Sequence, residues 1–240
     1  MGDLNSDLNL TRRRFLELAI ACAAFNFTGC MAPEVKEKHR IELGGMVNLP
    51  PPRYDGPISL EAALLRRRSI RTYSGGDLKL EEISQLLWAA QGITSPLGFR
   101  TAPSAGALYP LELYLAAGDV EDIDKGVYKY ISKEHALIKI REGDVRIELA
   151  SAAVNQRCVF EAAVDIVFTA VYERTTMKYG ERGRRYVHLE AGHAAQNVYL
   201  QAVSLNLGAV VIGAFLDEEV KKILNIQEEP LYIIPIGRKA

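Results

Sequence analysis

Three cysteines, one tryptophan and a net charge of -1 across 240 residues exclude several classes of protein at once. Cys22, Cys30 and Cys158 are too few and too scattered for a disulfide framework. Two of them fall in the N-terminal segment, so Cys158 alone is left to the body of the chain, where it reads as a small buried apolar residue. The near-neutral balance offers no basic stripe for nucleic acid. No apolar run of about 20 residues is free of charge, so no standard transmembrane helix is evident. Internal repeats and low-complexity tracts are also missing. What is present is 48% hydrophobic and 25% charged sequence, enough for one well-packed core in one domain.

The first thirty residues read as an address. Thr11-Arg12-Arg13-Arg14-Phe15-Leu16 is followed by a weakly hydrophobic run over 18–27. Cationic, then apolar, then small is the order of an export signal. The paired arginines before a large apolar residue resemble a twin-arginine signal. Phe27-Thr28-Gly29-Cys30 is similar to a lipoprotein cleavage box, which implies an acylated Cys30 as first mature residue. Phe27 stands where such boxes prefer leucine, and Glu17 interrupts the apolar run. An interfacial or disordered N-terminal helix is the alternative. The expectation is an exported, cell-envelope protein, on the periplasmic or outer face of the membrane and lipid-anchored there.

Residues 31–56, with Pro33, Pro50, Pro51 and Pro52, read as an extended tether before a domain over 57–240. Ser59 is a good N-cap for a helix carrying Leu60, Ala63 and Leu64 on one stripe. Residues 80–91 form a second helix, with Ile83, Leu86, Leu87 and Ala90 on one face and Gly92 as its stop. Residues 111–117 read as a strand, and 127–130 with 136–140 as a hairpin pair. A helix over 146–155, a buried strand over 163–172 and a long helix over 186–205 follow. The long helix is apolar almost all round, hence central or at a dimer interface. A short helix over 220–224 and a buried strand over 231–236 end the chain. Trp88 reads as core. Without strict alternation of strand and helix, the fold class is α+β, with a central mixed sheet flanked by helices.

Arg66-Arg67-Arg68-Ser69-Ile70-Arg71 puts Arg67 and Arg71 on one face if the first helix persists. Alone, such a run can equally be a solvated helix end. Four further segments follow in order. They are Ala102-Pro103-Ser104-Ala105-Gly106-Ala107-Leu108-Tyr109-Pro110, Glu190-Ala191-Gly192-His193-Ala194-Ala195-Gln196-Asn197-Val198-Tyr199-Leu200-Gln201-Ala202, Leu205 to Phe215 with Gly213-Ala214 inside it, and Pro235-Ile236-Gly237. As an ordered set they resemble the nitroreductase family, and more narrowly its SagB/ThcOx-type dehydrogenases, from about residue 57 onward.

That resemblance implies an α+β homodimer with FMN at the subunit interface. Arg67, Ser69 and Arg71 would serve phosphate, ribityl chain and ring edge. Pro103, Ser104 and Ala105 would approach the ring from the second subunit, where small residues let backbone come close. Gly213 and Ala214 match the position whose N–H faces flavin N5. Arg238 would be the second phosphate cation, although the sequence continues only two residues past it, short of the C-terminal arm of many nitroreductases. Lys178-Tyr179 resembles the Lys-Tyr pair of azoline oxidases in this group, where a base takes a proton as hydride leaves; a basic surface loop over 178–185 is the alternative. His188 and His193 flank Glu190, but a spacing of five misplaces them as helical metal ligands. The resulting expectation is an FMN-dependent oxidoreductase acting on a small organic or peptide-derived substrate. A catalytically silent flavin-binding or partner module, and a cytoplasmic thiazoline/oxazoline dehydrogenase of a peptide-modifying complex, are the alternatives.

Overall fold

The computed structural model of the chain describes residues 42–240. The expected export segment, Cys30 and the start of the tether lie outside the described residues. Strands β1 (Met46–Asn48), β2 (Leu111–Ala117), β3 (Gly126–Ile131), β4 (Ala136–Glu142), β5 (Val164–Ala170), β6 (Leu207–Ala209) and β7 (Glu229–Arg238) form one sheet in the order β1-β4-β3-β2-β5-β7-β6. Around it lie α1 (Leu60–Arg66), α2 (Leu80–Gln91), α3 (Arg146–Ala152), α4 (Arg157–Glu161), α5 (Glu173–Tyr179), α6 (Arg182–Ser204) and α7 (Asp217–Leu224). The α+β class holds. Among the described residues the sheet is antiparallel along every ladder rather than mixed, and only the isolated Leu78–Val120 bridge is parallel. Short returns join β2, β3 and β4, which fixes an antiparallel sense there.

Strand alternation divides the core into two clusters. Leu111, Leu113, Leu115, Ile166, Phe168, Ile234 and Ile236 pack with α2 and α6 on one face. Tyr114, Ala116, Val167 and Ile233 pack with α3, α4 and α7 on the other. From α2 come Ile83, Leu86, Leu87 and Ala90, all fully buried. From α6 come Val187, Ala191, Ala194, Val198 and Ala202, spaced four, three, four and four apart as one helical stripe. Its opposite side shows exposed His193 and Gln196, so α6 is amphipathic and not apolar all round.

Local chemistry explains most boundaries. Ser59 caps α1, its Oγ accepting from Ala62 N at 3.2 Å. Glu82 reaches back to Lys79 N at 2.8 Å and closes the first turn of α2. Gly92 ends α2, but with φ -66° it is not a left-handed cap. A Cβ there would stand 2.1 Å from Trp88 Cδ1, so close approach is what requires glycine. Trp88 itself is half-buried rather than core, edge-on to Tyr54 at 5.7 Å. The helix expected over 146–155 stops at Ala152, because Val154 and Asn155 turn left-handed at φ 57° and 55°, and the separate α4 begins only at Arg157.

Residues 46–54 do not form a free tether. Met46–Asn48 pairs with β4, Ser84 Oγ donates to the Pro50 carbonyl at 2.5 Å, and Gln85 bonds both the N–H and the C=O of Arg53. Basic residues 178–185 are not a loop either, since they end α5 and begin α6.

Candidate functional site

The arginine segment leaves its helix at once. Arg67 is already the C-cap of α1, with φ -57° and ψ 123°. The helical register expected to align Arg67 with Arg71 is therefore absent. Beyond it the chain runs along the β6–β7 edge, where Ile70 N donates to Ala209 O at 2.9 Å and Tyr73 bridges Lys239. Gly208 has no room for a Cβ, which would lie 2.7 Å from Ile70. Arg68 folds back onto the carbonyls of Leu65 and Arg67, a helix-end role.

Arg67 and Ser69 converge on Tyr199 of α6. The Arg67 guanidinium stands 5.2 Å from the Tyr199 ring centre, and Ser69 Oγ is 3.0 Å from the Tyr199 hydroxyl. That hydroxyl also accepts from Val211 N at 2.8 Å. Tyr199 thus ties the cation and hydroxyl of one segment to the stretch that reaches Gly213 and Ala214 two and three residues later. Both are exposed, and neither amide N–H donates to an acceptor among the described residues. Arg71 is exposed and lies close enough to Tyr73 and Cys158 to act on their charges. Burial pushes the Cys158 thiol up, which leaves it an inert thiol in the core.

A second assembly surrounds the turn that follows Pro103. Gly106 has φ 66°, and a Cβ on it would stand 2.8 Å from Tyr179 Oη and 2.9 Å from Lys178 Nζ. The Lys178-Tyr179 pair therefore lies directly on the 104–107 turn of its own chain. Lys178 Nζ is 5.4 Å from the Tyr179 ring centre, and Tyr179 meets Tyr186 edge-on at 5.2 Å. Beneath the turn lies Glu190 of α6, 2% exposed. Burial pushes its carboxyl up to about 7, while Ser104 and the Arg100 guanidinium pull the other way.

The fold agrees with what is found among known proteins. The profile of the nitroreductase family matches residues 64–238. The chain belongs to the nitroreductase family. By that membership the protein is an oxidoreductase. It is 51% identical over 182 residues to a Methanocaldococcus jannaschii protein named as a nitroreductase, covering 76% of this chain and 92% of that one. It is similar to a crystal structure of a nitroreductase-family protein from Ralstonia eutropha, with TM-score 0.72 and 32% identity, over 84% of this chain and 94% of that chain. It also resembles the microcin B17-processing protein McbC of Escherichia coli, 27% identical over 63% of this chain and 58% of that protein.

Of the residues singled out in the sequence, the nitroreductase fold brings Arg67 and Ser69 to Tyr199, and Ser104, Ala105, Lys178 and Tyr179 to one turn. Arg238 joins neither group. Its guanidinium forks onto both oxygens of Glu82 at 2.7 and 2.8 Å and donates to Asp77 O, so a phosphate there would compete with a carboxylate. His188 is engaged with the Tyr172 hydroxyl, and among the described residues no group of three or more His, Cys, Asp or Glu is placed to hold a metal. Tyr199, Glu190 and Arg100 were not legible as site residues; Tyr199 and Glu190 stand inside the quoted motif, but only packing reveals which way they face. A cleft of about 710 Å³ opens between Tyr172, Glu173, Arg184 and Asp217, and none of the expected cofactor residues lines it.

Proposed function

We propose that this nitroreductase is an FMN-dependent oxidoreductase that works as a homodimer on a small organic or peptide-derived substrate. The observation that carries the reading is the Tyr199 junction, which gathers a cation, a hydroxyl and two unengaged backbone donors on one exposed edge. Those groups suit a flavin mononucleotide. Arg67 and Ser69 would hold phosphate and ribityl oxygens, with Arg71 near the ring edge, and Gly213 or Ala214 would donate an N–H toward N5. FMN, when bound, supplies the hydride-accepting or hydride-donating centre. Arg238 is reserved by Glu82 and is left out of this set.

Two chains are needed because the two assemblies sit on one helix. Glu190 and Tyr199 are nine positions apart, about 13 Å along the axis and about 180° around it. One chain therefore turns its Pro103-Ser104-Ala105 turn away from its own Arg67 and Gly213, and a second copy restores the pair. The exposed Leu60, Leu64 and Leu65 of α1, between 52% and 75% accessible, supply apolar surface for such a contact.

Within the site, Lys178 or Tyr179 would hold the proton released as hydride leaves an azoline-type ring, and the small residues 105–107 would leave room above the ring plane. The similarity to McbC favours a peptide-derived substrate. Export and a lipidated Cys30 rest on residues 11–30 alone and are read by cell fractionation of the full chain. Anaerobic mixing of the FMN-loaded protein with NADH, NADPH and azoline-containing peptides tests the reading. Bleaching of the flavin by one of them supports it; an FMN-loaded protein reduced by no donor, not even slowly, points to a silent binding module.

A further inference from the structure

The turn under Lys178 and Tyr179 is strained. Gly106, Ala107 and Tyr109 have φ of 66°, 53° and 46°, and two of the three carry a Cβ. Such backbone persists only where its surroundings over-determine it, and it gathers at functional sites. The surroundings here are explicit. Ser104 Oγ accepts from Tyr109 N at 2.9 Å, and Ala107 N donates to Ser104 O at 3.1 Å. Arg174 Nη1 donates to Tyr109 O at 3.0 Å. Arg100 N donates to the Tyr109 hydroxyl at 3.2 Å, and its guanidinium lies 4.6 Å from the same ring centre.

Ser104 is central to this arrangement. Its oxygen already accepts a backbone proton, so its own proton needs an acceptor. The acidic side chain that faces it is Glu190, from the helix beneath. Glu190 is buried, and its Oε1 has no hydrogen-bond partner among the described residues. A carboxyl buried with an unpartnered oxygen is unfavourable. The Tyr199 junction does not use it.

We propose that Glu190 is a positioning residue that fixes Ser104, and through Ser104 the strained turn 104–109 on which Lys178 and Tyr179 rest. The functional weight of this rests on the reading that the turn faces a cofactor; the physical claim does not. The groups that face Glu190 are Ser104 and Arg100, and Tyr109, Glu112 and Arg174 surround that guanidinium in turn. Once ionised, Glu190 takes the Ser104 proton in a charge-assisted hydrogen bond, the stronger kind. When it is neutral, the hold slackens. Because burial brings the carboxyl up to about 7, the hold changes across neutral pH.

Hydrogen exchange on the full chain, with no cofactor added, tests this at about pH 6 and pH 8. In Glu190→Ala the amides of 104–109 should exchange about tenfold faster, the loss of one hydrogen bond, while those of α6 keep their protection. Glu190→Gln should restore the wild-type rates, because an amide oxygen still accepts from Ser104. An opening that breaks the Ser104 bond while Glu190 stays buried is harder once Glu190 is ionised, so protection of the turn, corrected for intrinsic exchange, should be greater at the higher pH in the wild type and flat with pH in Glu190→Gln. Unchanged exchange over 104–109 in Glu190→Ala, or equal acceleration along all of α6, overturns the proposal. If Glu190→Ala fails to fold, the pH response decides: the same response in the wild type and Glu190→Gln overturns it. Absence of FMN binding beside the expected exchange pattern would defeat only the cofactor reading, and FMN binding without that pattern only the positioning role.

Discussion

Glu190 and Asp165 are the residues at which burial and charge oppose each other most directly. Burial pushes both carboxyls up, and neither Asp165 oxygen has a hydrogen-bond partner among the described residues. For Glu190 the folded value is about 7 against an ordinary 4.5, so between those values the folded state holds a proton that the unfolded chain has lost. Its contribution is complete below pH 4.5 and is lost as pH rises through 7, a fall of at most about 3 kcal/mol and less where solvent reaches the carboxyl. Asp165 acts in the same sense, so the comparison must be with Glu190→Gln. Denaturant unfolding at several pH values should show a flatter stability profile between about pH 5 and pH 7 in that variant; parallel profiles would remove the effect. A second prediction belongs to the pair above the turn. Lys178→Met and Tyr179→Phe keep volume but remove proton acceptors. Flavin content should stay near wild type, and substrate-driven flavin reduction should fall about 100- to 10,000-fold in one of them, measured by stopped-flow absorbance. Wild-type rates in both would reduce the pair to packing for Gly106.

At the scale of elements, caps and close approaches set the boundaries. Ser59→Ala removes the Oγ that accepts from Ala62 N and should cost about 1 kcal/mol, read as a lower denaturation midpoint with unchanged m. Gly106→Ala should cost more and should lower protection around Lys178 and Tyr179, because it combines a left-handed φ with approaches under 3 Å. The same chemistry decides what was legible beforehand. Residues 80–91 and 111–117 carry clean helical and strand patterns, and α2 and β2 take those bounds. β1 was hidden in a proline-rich stretch, because three residues with one half-buried side chain make no periodic signal. α5 was hidden because its one aliphatic residue, Met177, is exposed and only Thr175 is buried. Arg67 and Ser69 were found by motif order, but their meeting point was not: Tyr199 lies 130 positions beyond Ser69, and only the packing of α6 against the β6 edge brings them together. The ion pair of Arg238 was hidden for the same reason, since its partner Glu82 is 156 positions away.

For the whole molecule, the amphipathic α6 is the organising fact. It buries one stripe against the sheet and carries Glu190 and Tyr199 at opposite azimuths, so a cofactor that needs both ends draws on two chains. The protein should therefore be a dimer in solution, with more than about 2,000 Å² buried, as obligate dimers require. Sedimentation of the wild type beside Leu64→Lys plus Leu65→Lys reads this, and the double variant should lose dimer and flavin together. A variant that becomes monomeric yet keeps its flavin would show that one chain suffices. The central claim is that Arg67 and Ser69, gathered at Tyr199, hold FMN, and titration of the apoprotein with FMN, followed by flavin fluorescence, tests it most directly. The wild type should saturate at about one FMN per chain, and Arg67→Ala with Ser69→Ala should weaken binding by about 1.5–3 kcal/mol for each charge-assisted hydrogen bond to the phosphate that the variant cannot make. A wild-type protein that leaves the fluorescence of added FMN unchanged, or a double variant that binds as tightly as the wild type, would contradict it.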